Sequence, residues 1–118
     1  MELLLARAYT YFEKCAKTDG KYLRLSHLNL TEIPPEVWEL GDLEHLDLSN
    51  NQLTQIPPNI GRLTKIKQLN LGYNAISALP EEIGKLTQLQ TIYLDKNPLQ
   101  ALPESIEGWQ QLGEIWLQ

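Results

Sequence analysis

Three polar residues with catalytic potential occupy alternate positions of one short segment: His45, Asp47 and Ser49. Residues two apart on a strand point to the same face, so His45 and Asp47 are predicted to be neighbours. A general base also needs a nucleophile or a substrate within hydrogen-bond reach, and Ser49 is expected about 7 Å further along the strand. Because this spacing forms no rigid triad, the sequence predicts a chain without catalytic residues.

The other reactive residue types form no ligand set either. His27 and His45 occupy different positions of the repeat described below, and no spacing of Cys, His or carboxylates fits a metal site. Gly61 and Gly84 recur within an Ile-Gly-x-Leu segment and do not form a phosphate-binding loop. We therefore expect neither a metal nor a cofactor.

The only cysteine, Cys15, cannot form an intrachain disulfide, whereas small secreted domains usually depend on several. It is expected on the apolar side of a helix, buried rather than reactive. The chain opens with an acid, Glu2, where a signal peptide carries positive charge, and no run reaches the ~18 apolar residues of a membrane span. These features predict a reducing compartment and a cytoplasmic protein.

The overall charge limits the class of partner. The 118 residues carry a formal charge of −5. Binding to a phosphate backbone or to an anionic membrane needs a basic surface. We therefore expect neither nucleic acid nor a membrane as the partner.

A period of 23 residues runs through most of the chain without insertion. Proline recurs once in each period, at Pro34, Pro57, Pro80 and Pro103. Asparagine recurs likewise, at Asn51, Asn74 and Asn97. The apolar positions keep the same period, among them Leu43, Ile66, Leu89 and Leu112; Leu46, Leu69, Ile92 and Ile115; Leu48, Leu71, Leu94 and Leu117. Each period is thus predicted to be one structural unit that stacks on the next.

The spacing within one unit predicts its local structure. Leu46 and Leu48 are two apart, so a strand sends both side chains to the same face. Asn51 follows in the bend, where its amide can satisfy backbone groups of adjacent turns. Pro57 ends any strand, and Ile60 with the leucine three residues later suits a short helical or 3₁₀ turn that adds side chains to the core.

These segments resemble the leucine-rich-repeat family, and in particular its 23-residue Ras-suppressor-like class with a Leu-Pro or Ile-Pro dipeptide. The resemblance runs from about residue 20 to residue 118, and the first unit departs from it, with Gly20 and Leu28 in the Leu and Asn columns. It implies an α/β solenoid: a right-handed coil with a parallel concave sheet of about five short strands and short helical or 3₁₀ turns on the convex side. Members of the family typically bind other proteins on the concave side.

The first 19 residues are predicted to form an amphipathic helix that caps the first repeat, since Leu5, Ala8, Phe12 and Cys15 recur at helical spacing. The leucine-rich repeats then occupy 20–118, divided at about 20–42, 43–65, 66–88, 89–111 and a partial unit 112–118. Trp38 stands where later repeats have glycine. It is expected on the outer side, either covering the capping helix or forming a second contact patch.

The last strand leaves an open edge at the C-terminal end, with Trp109 and Trp116 expected beside it. An open edge invites pairing with another strand. Two interpretations remain: the chain is part of a longer array, or two chains form a homodimer through this edge.

Positions between the core leucines are predicted to face the concave side, because strand residues alternate. They are the candidate partner-binding residues: Tyr22, Arg24, His45, Asp47, Gln68, Asn70, Tyr73, Thr91, Tyr93, Lys96 and Trp116. Aromatic residues gather in the later repeats, where Tyr73, Tyr93 and Trp116 are expected near Lys96. Such residues dominate protein interfaces, although cross-strand aromatics also simply stabilise sheets.

Two functions are consistent with these features. The first is a non-catalytic interaction module that binds a protein or a peptide on its concave face. The second is the recognition arm of a larger signalling enzyme, such as a GTPase, a kinase or a ubiquitin ligase, whose catalytic part is absent from this chain; the resemblance alone suggests it.

Overall fold

A parallel sheet of five strands runs through the computed structural model, which describes residues 10–118. The sheet follows chain order, and its three-residue strands are Tyr22–Arg24 (β1), His45–Asp47 (β2), Gln68–Asn70 (β3), Thr91–Tyr93 (β4) and Glu114–Trp116 (β5). Neighbouring strands pair at equivalent repeat positions; Leu46 lies opposite Leu69, for example. The structure confirms the predicted solenoid.

Four short 3₁₀ helices return the chain on the convex side. They are Pro35–Glu39 (η1), Pro58–Arg62 (η2), Glu81–Lys85 (η3) and Glu104–Gly108 (η4). A proline of the repeated column directly precedes each of them, because its fixed backbone angle suits the residue at which a helical turn starts. Each turn closes by a hydrogen bond from the next residue, as in Leu63 N–H to the Ile60 carbonyl at 3.1 Å.

The core consists of the repeated apolar columns. Leu46 and Leu48 are 2% and 0% exposed, whereas Asp47 between them is half-buried and faces the opposite side. Complete burial of a leucine side chain contributes about 1.5–3 kcal/mol to stability. Because each strand has only three residues, one coil cannot enclose its own leucines, and the neighbouring coil covers them.

The repeated asparagines join each coil to the previous one. Asn74 Nδ2 donates to the carbonyl oxygens of Leu48 and Leu71, both at 3.0 Å, and Asn74 Oδ1 accepts from the Leu53 N–H at 3.1 Å. Asn51 and Asn97 make the equivalent bonds. We call Asn51, Asn74 and Asn97 the asparagine ladder.

A helix covers residues 10–16 ahead of the sheet, and residues 17–20 form a turn. Cys15 is buried in the core, and Tyr11 and Phe12 pack against the core. Burial raises the pKa of the Cys15 thiol above its ordinary value, so the thiol stays protonated and unreactive at neutral pH. Leu5 and Ala8, which supported the predicted capping helix, lie outside the described residues.

The two core tryptophans are enclosed. Trp38, on η1, is 8% exposed and therefore offers little surface for a second contact patch. Trp109 is buried as well, and its Nε1–H donates to the Ile83 carbonyl at 2.9 Å. Ile115 and Leu117, by contrast, are 37% and 53% exposed.

Removing one member of the asparagine ladder should destabilise the whole solenoid. Asn74→Ala leaves the Leu53 N–H without its partner, whereas the Leu48 and Leu71 carbonyls each keep a second amide donor, from Asn51 and Asn97. We expect a loss of roughly 1–3 kcal/mol in the free energy of unfolding, measured by urea denaturation. Asn59→Ala on η2 is the matched control, because the Asn59 side chain makes no hydrogen bond within residues 10–118. Equal unfolding midpoints for the two variants would contradict this role.

The stacking of η3 on η4 requires a glycine. A Cβ atom on Gly84 would collide with the Ser105 carbonyl, whereas a Cβ atom on Gly41 would meet nothing within 4 Å. Both substitutions by alanine restrict the unfolded chain equally, so their difference isolates the collision. Gly84→Ala should lower stability by about 1–3 kcal/mol in thermal unfolding, and Gly41→Ala should not. A Gly84→Ala protein as stable as Gly41→Ala would show that the two turns separate freely.

Candidate functional site

The outward side chains of the five strands form the concave face. Tyr22, Arg24, Gln68 and Trp116 are exposed, and His45, Asp47, Asn70 and Tyr93 are half-buried. Thr91, by contrast, is only 8% exposed, so it offers a partner little surface. Tyr73 and Lys96, both exposed, lie on the turns just after β3 and β4. Within the three-residue strands, alternation brings the outward side chains to one side of the sheet, opposite the core leucines.

The hydrogen bonds of the potential catalytic residues do not connect all three of them. Ser49 does not continue along the strand: the chain turns after β2, and the Ser49 hydroxyl donates to Asp47 Oδ1 at 2.6 Å. The expectation that Ser49 continues the strand was therefore wrong, because β2 ends at Asp47. His45 Nδ1 instead lies 2.9 Å from Gln68 Oε1 on β3. The histidine, the carboxylate and the hydroxyl thus form no relay.

An aromatic stack covers the N-terminal end of the concave face. The rings of Tyr22 and His45 are 4.5 Å apart and nearly parallel, at 10°. This arrangement follows from the register, since the two residues are direct partners in β1 and β2. Tyr22 remains 53% exposed, so the stack presents an open aromatic face.

A charged group lies beside this stack. Arg24 Nε is 3.5 Å from Asp47 Oδ2 and donates to Ser26 Oγ at 3.2 Å. Asp47 Oδ1 is occupied by the backbone N–H and the hydroxyl of Ser49. The carboxylate is therefore largely satisfied within the protein, while the Arg24 side chain stays 75% exposed.

A second aromatic pair lies at the other end of the sheet. Tyr93 and Trp116 stack with ring centroids 6.1 Å apart, and Trp116 Nε1–H donates to Glu114 Oε2 at 3.3 Å. Tyr73 is 53% exposed, and no ring of residues 10–118 stacks on it. The expected aromatic cluster is therefore a stacked pair with a separate tyrosine.

A groove of about 720 Å³ lies between the N-terminal helix and the concave face. The helix and its turn contribute Tyr11, Lys14 and Thr18. The sheet and its turns contribute Tyr22, Leu23, Arg24, Ser26, His27, His45, Leu46, Asp47, Gln68, Asn70 and Tyr93. Sequence reasoning treated the helix only as a cap and missed its part in this groove. Tyr11 and Lys14, three apart on one helix face, were the available signal.

Charge pairs line the strand edge ahead of this face. Glu44 lies between two lysines, 3.9 Å from Lys21 Nζ and 3.3 Å from Lys67 Nζ. Further out, Lys65 Nζ is 2.8 Å from Asp42 Oδ1. The hydrogen bond from Lys65, followed by its charge, lowers the pKa of Asp42 below its ordinary value, and the same contact raises the pKa of Lys65.

No group of three or more His, Cys, Asp or Glu within residues 10–118 is arranged to hold a metal ion. In the same range, no helix has the length and apolar character needed to cross a bilayer.

The fold with its repeated turns and asparagine bonds is that of a leucine-rich-repeat solenoid. A family model of two leucine-rich-repeat copies matches residues 42–81. A solved leucine-rich-repeat protein of Leptospira interrogans is 30% identical, with a TM-score of 0.65 over 89% of this chain and 34% of that one. No curated protein matches the chain. The chain therefore has the fold of leucine-rich-repeat proteins, and it spans about a third of the length of the Leptospira protein, 34%.

The pKa of Asp42 offers a direct test of the edge pairs. Because the folded pKa is lowered, this pair stabilises the fold above the ordinary carboxyl pKa, and the effect is lost as the pH falls through the lowered value. Both groups are exposed, so the effect on stability should be small. Lys65→Met should raise the Asp42 pKa toward its ordinary value in an NMR titration, whereas Lys85→Met, the same charge change on η3, should not. An unchanged Asp42 pKa in Lys65→Met would contradict the pairing.

Proposed function

We propose that this protein is a non-catalytic binding module whose concave face receives another protein or a peptide. Leucine-rich-repeat domains generally mediate protein–protein interaction, and the family model supports that function for this chain. The observation that carries the proposal for this face is the pair of exposed aromatic stacks, Tyr22 with His45 and Tyr93 with Trp116. Aromatic side chains with a polar end are enriched at interface hot spots.

The size of the face limits the kind of complex. Five strands about 4.8 Å apart make a sheet only about 20 Å across, and its exposed area is roughly 300 Å². A standard interface buries about 800 Å² on each partner. A short peptide fits this face by itself, and a larger protein partner would need the rims or further repeats.

The finer assignments belong to the same proposal. The 23-residue offset between paired strands, as in Tyr22 with His45, supports membership of the Ras-suppressor-like class. The single, buried Cys15 supports a reducing, cytoplasmic compartment. Two statements remain predictions: the repeats are the recognition arm of a larger enzyme, and two chains pair through β5.

Site-specific photo-cross-linking tests the concave face directly. A benzophenone amino acid at Gln68, exposed at the centre of the face, should give discrete cross-linked products in cell extract. The same amino acid at Arg62, exposed on η2, is the control and should give none of these products. Adding Trp116→Ala and Tyr22→Ala to the Gln68 protein should reduce the products several-fold, because both substitutions remove an aromatic stack. Identical products from Gln68 and Arg62 would refute the concave assignment.

A further inference from the structure

The groove between the N-terminal helix and the concave face differs in charge from the rest of the protein. Its charged lining residues are Lys14, Arg24 and Asp47, two cations and one acid, in a chain of net charge −5. Charges further away than about 8 Å are largely screened at physiological ionic strength, so a ligand in the groove responds mainly to these local groups. The nearby Glu44 is flanked by Lys21 and Lys67 and adds little negative field.

The one acid in the groove is already satisfied. Asp47 Oδ1 accepts two hydrogen bonds from Ser49, and Asp47 Oδ2 faces Arg24 Nε. The same Nε–H donates to Ser26 Oγ, so the guanidinium is held from its Nε side. The two Nη groups of Arg24 have no hydrogen-bond partner within residues 10–118 and lie on a side chain that is 75% exposed. An arginine held in this way presents a planar donor fork, which matches a carboxylate.

The aromatic stack lies next to this fork. Tyr22 and Arg24 are two apart on β1, so their side chains project on the same face. Lys14, on the opposite wall of the groove, lies 5.4 Å from the centroid of the Tyr11 ring. A ligand that places a carboxylate on Arg24 therefore has an aromatic surface on one side and an ammonium group on the other.

The length of the groove matches a short segment of chain. From Tyr22 on β1 to Tyr93 on β4 there are three strand spacings, or about 14 Å. An extended chain advances about 3.3 Å per residue, so about four residues fit. We propose that this groove binds a short, extended, acidic segment of another protein, with one Asp or Glu carboxylate on Arg24 and an apolar or aromatic side chain on the stack of Tyr22 and His45. This inference rests on the proposed function and names the class of partner.

Selection from a random octapeptide library on the intact chain tests this partner class. The recovered peptides should be enriched in Asp and Glu. A synthetic copy of one of them should lose affinity when its acids are replaced by Asn or Gln, and its affinity should fall with added salt. Fluorescence anisotropy with the labelled peptide gives the dissociation constants.

Two variants with the same charge change locate the binding. Arg24→Gln should weaken the acidic peptide about tenfold, since a charge-assisted hydrogen bond is lost. Arg62→Gln on the convex η2 should leave affinity unchanged. Arg24 and Arg62 are both exposed, so neither variant is expected to unfold, and circular dichroism checks this.

The outcomes separate this inference from the proposed function. Peptides without acidic enrichment that are weakened by Tyr22→Ala but not by Arg24→Gln would overturn the acidic partner and leave concave binding intact. Acidic peptides weakened only by Arg62→Gln would overturn both. Recovery of no peptide would overturn the short acidic segment, while cross-linking from Gln68 would still decide whether the concave face binds proteins.

Discussion

The asparagine ladder is the interaction on which the rest of the structure depends. A strand of three residues cannot satisfy the backbone groups of the bend that follows it, and these groups are enclosed by the next coil. One asparagine amide per coil supplies both donors and an acceptor, and it does so across two coils at once, as Asn74 does for Leu48 and Leu71. A buried backbone group without a partner would cost about 1–3 kcal/mol, as much as the burial of one leucine contributes. The leucine columns therefore align because the ladder holds them in register.

The core and the ladder use the leucines and the asparagines, whereas the alternate strand positions carry the side chains of the concave face. Their side chains interact mainly with the same column of the next strand, as Tyr22 does with His45. Such lateral pairs restrict the rotamers of the rings and lower the entropy cost of an incoming ligand. The same pairing stabilises the sheet, so residues of the proposed binding face contribute to stability as well.

The sequence predicted the sheet well because its signal is periodic. Columns such as Leu46 with Leu69 identify paired strands, and the proline column places the 3₁₀ turns. The groove was not predictable in this way. The position of Lys14 over the concave face depends on how the helix packs, and the helix does not belong to the repeat. The turn at Ser49 was missed because the alternation of the strand does not continue past Asp47, whose side chain accepts hydrogen bonds from the N–H and the hydroxyl of Ser49 two residues later.

One backbone feature concerns the rim of the concave face. His27, Asn50, Tyr73 and Lys96 occupy one column, and all four have a positive φ, between 56° and 59°. A residue other than glycine adopts this conformation at a cost of roughly 1–2 kcal/mol, which the surrounding coil must offset. Because the coil imposes the same backbone angle in every repeat, each of these side chains leaves the main chain in the same direction whatever its chemistry. The four rim positions therefore share one backbone geometry, and an imidazole, a phenol or an ammonium group can occupy such a position without a change in the backbone.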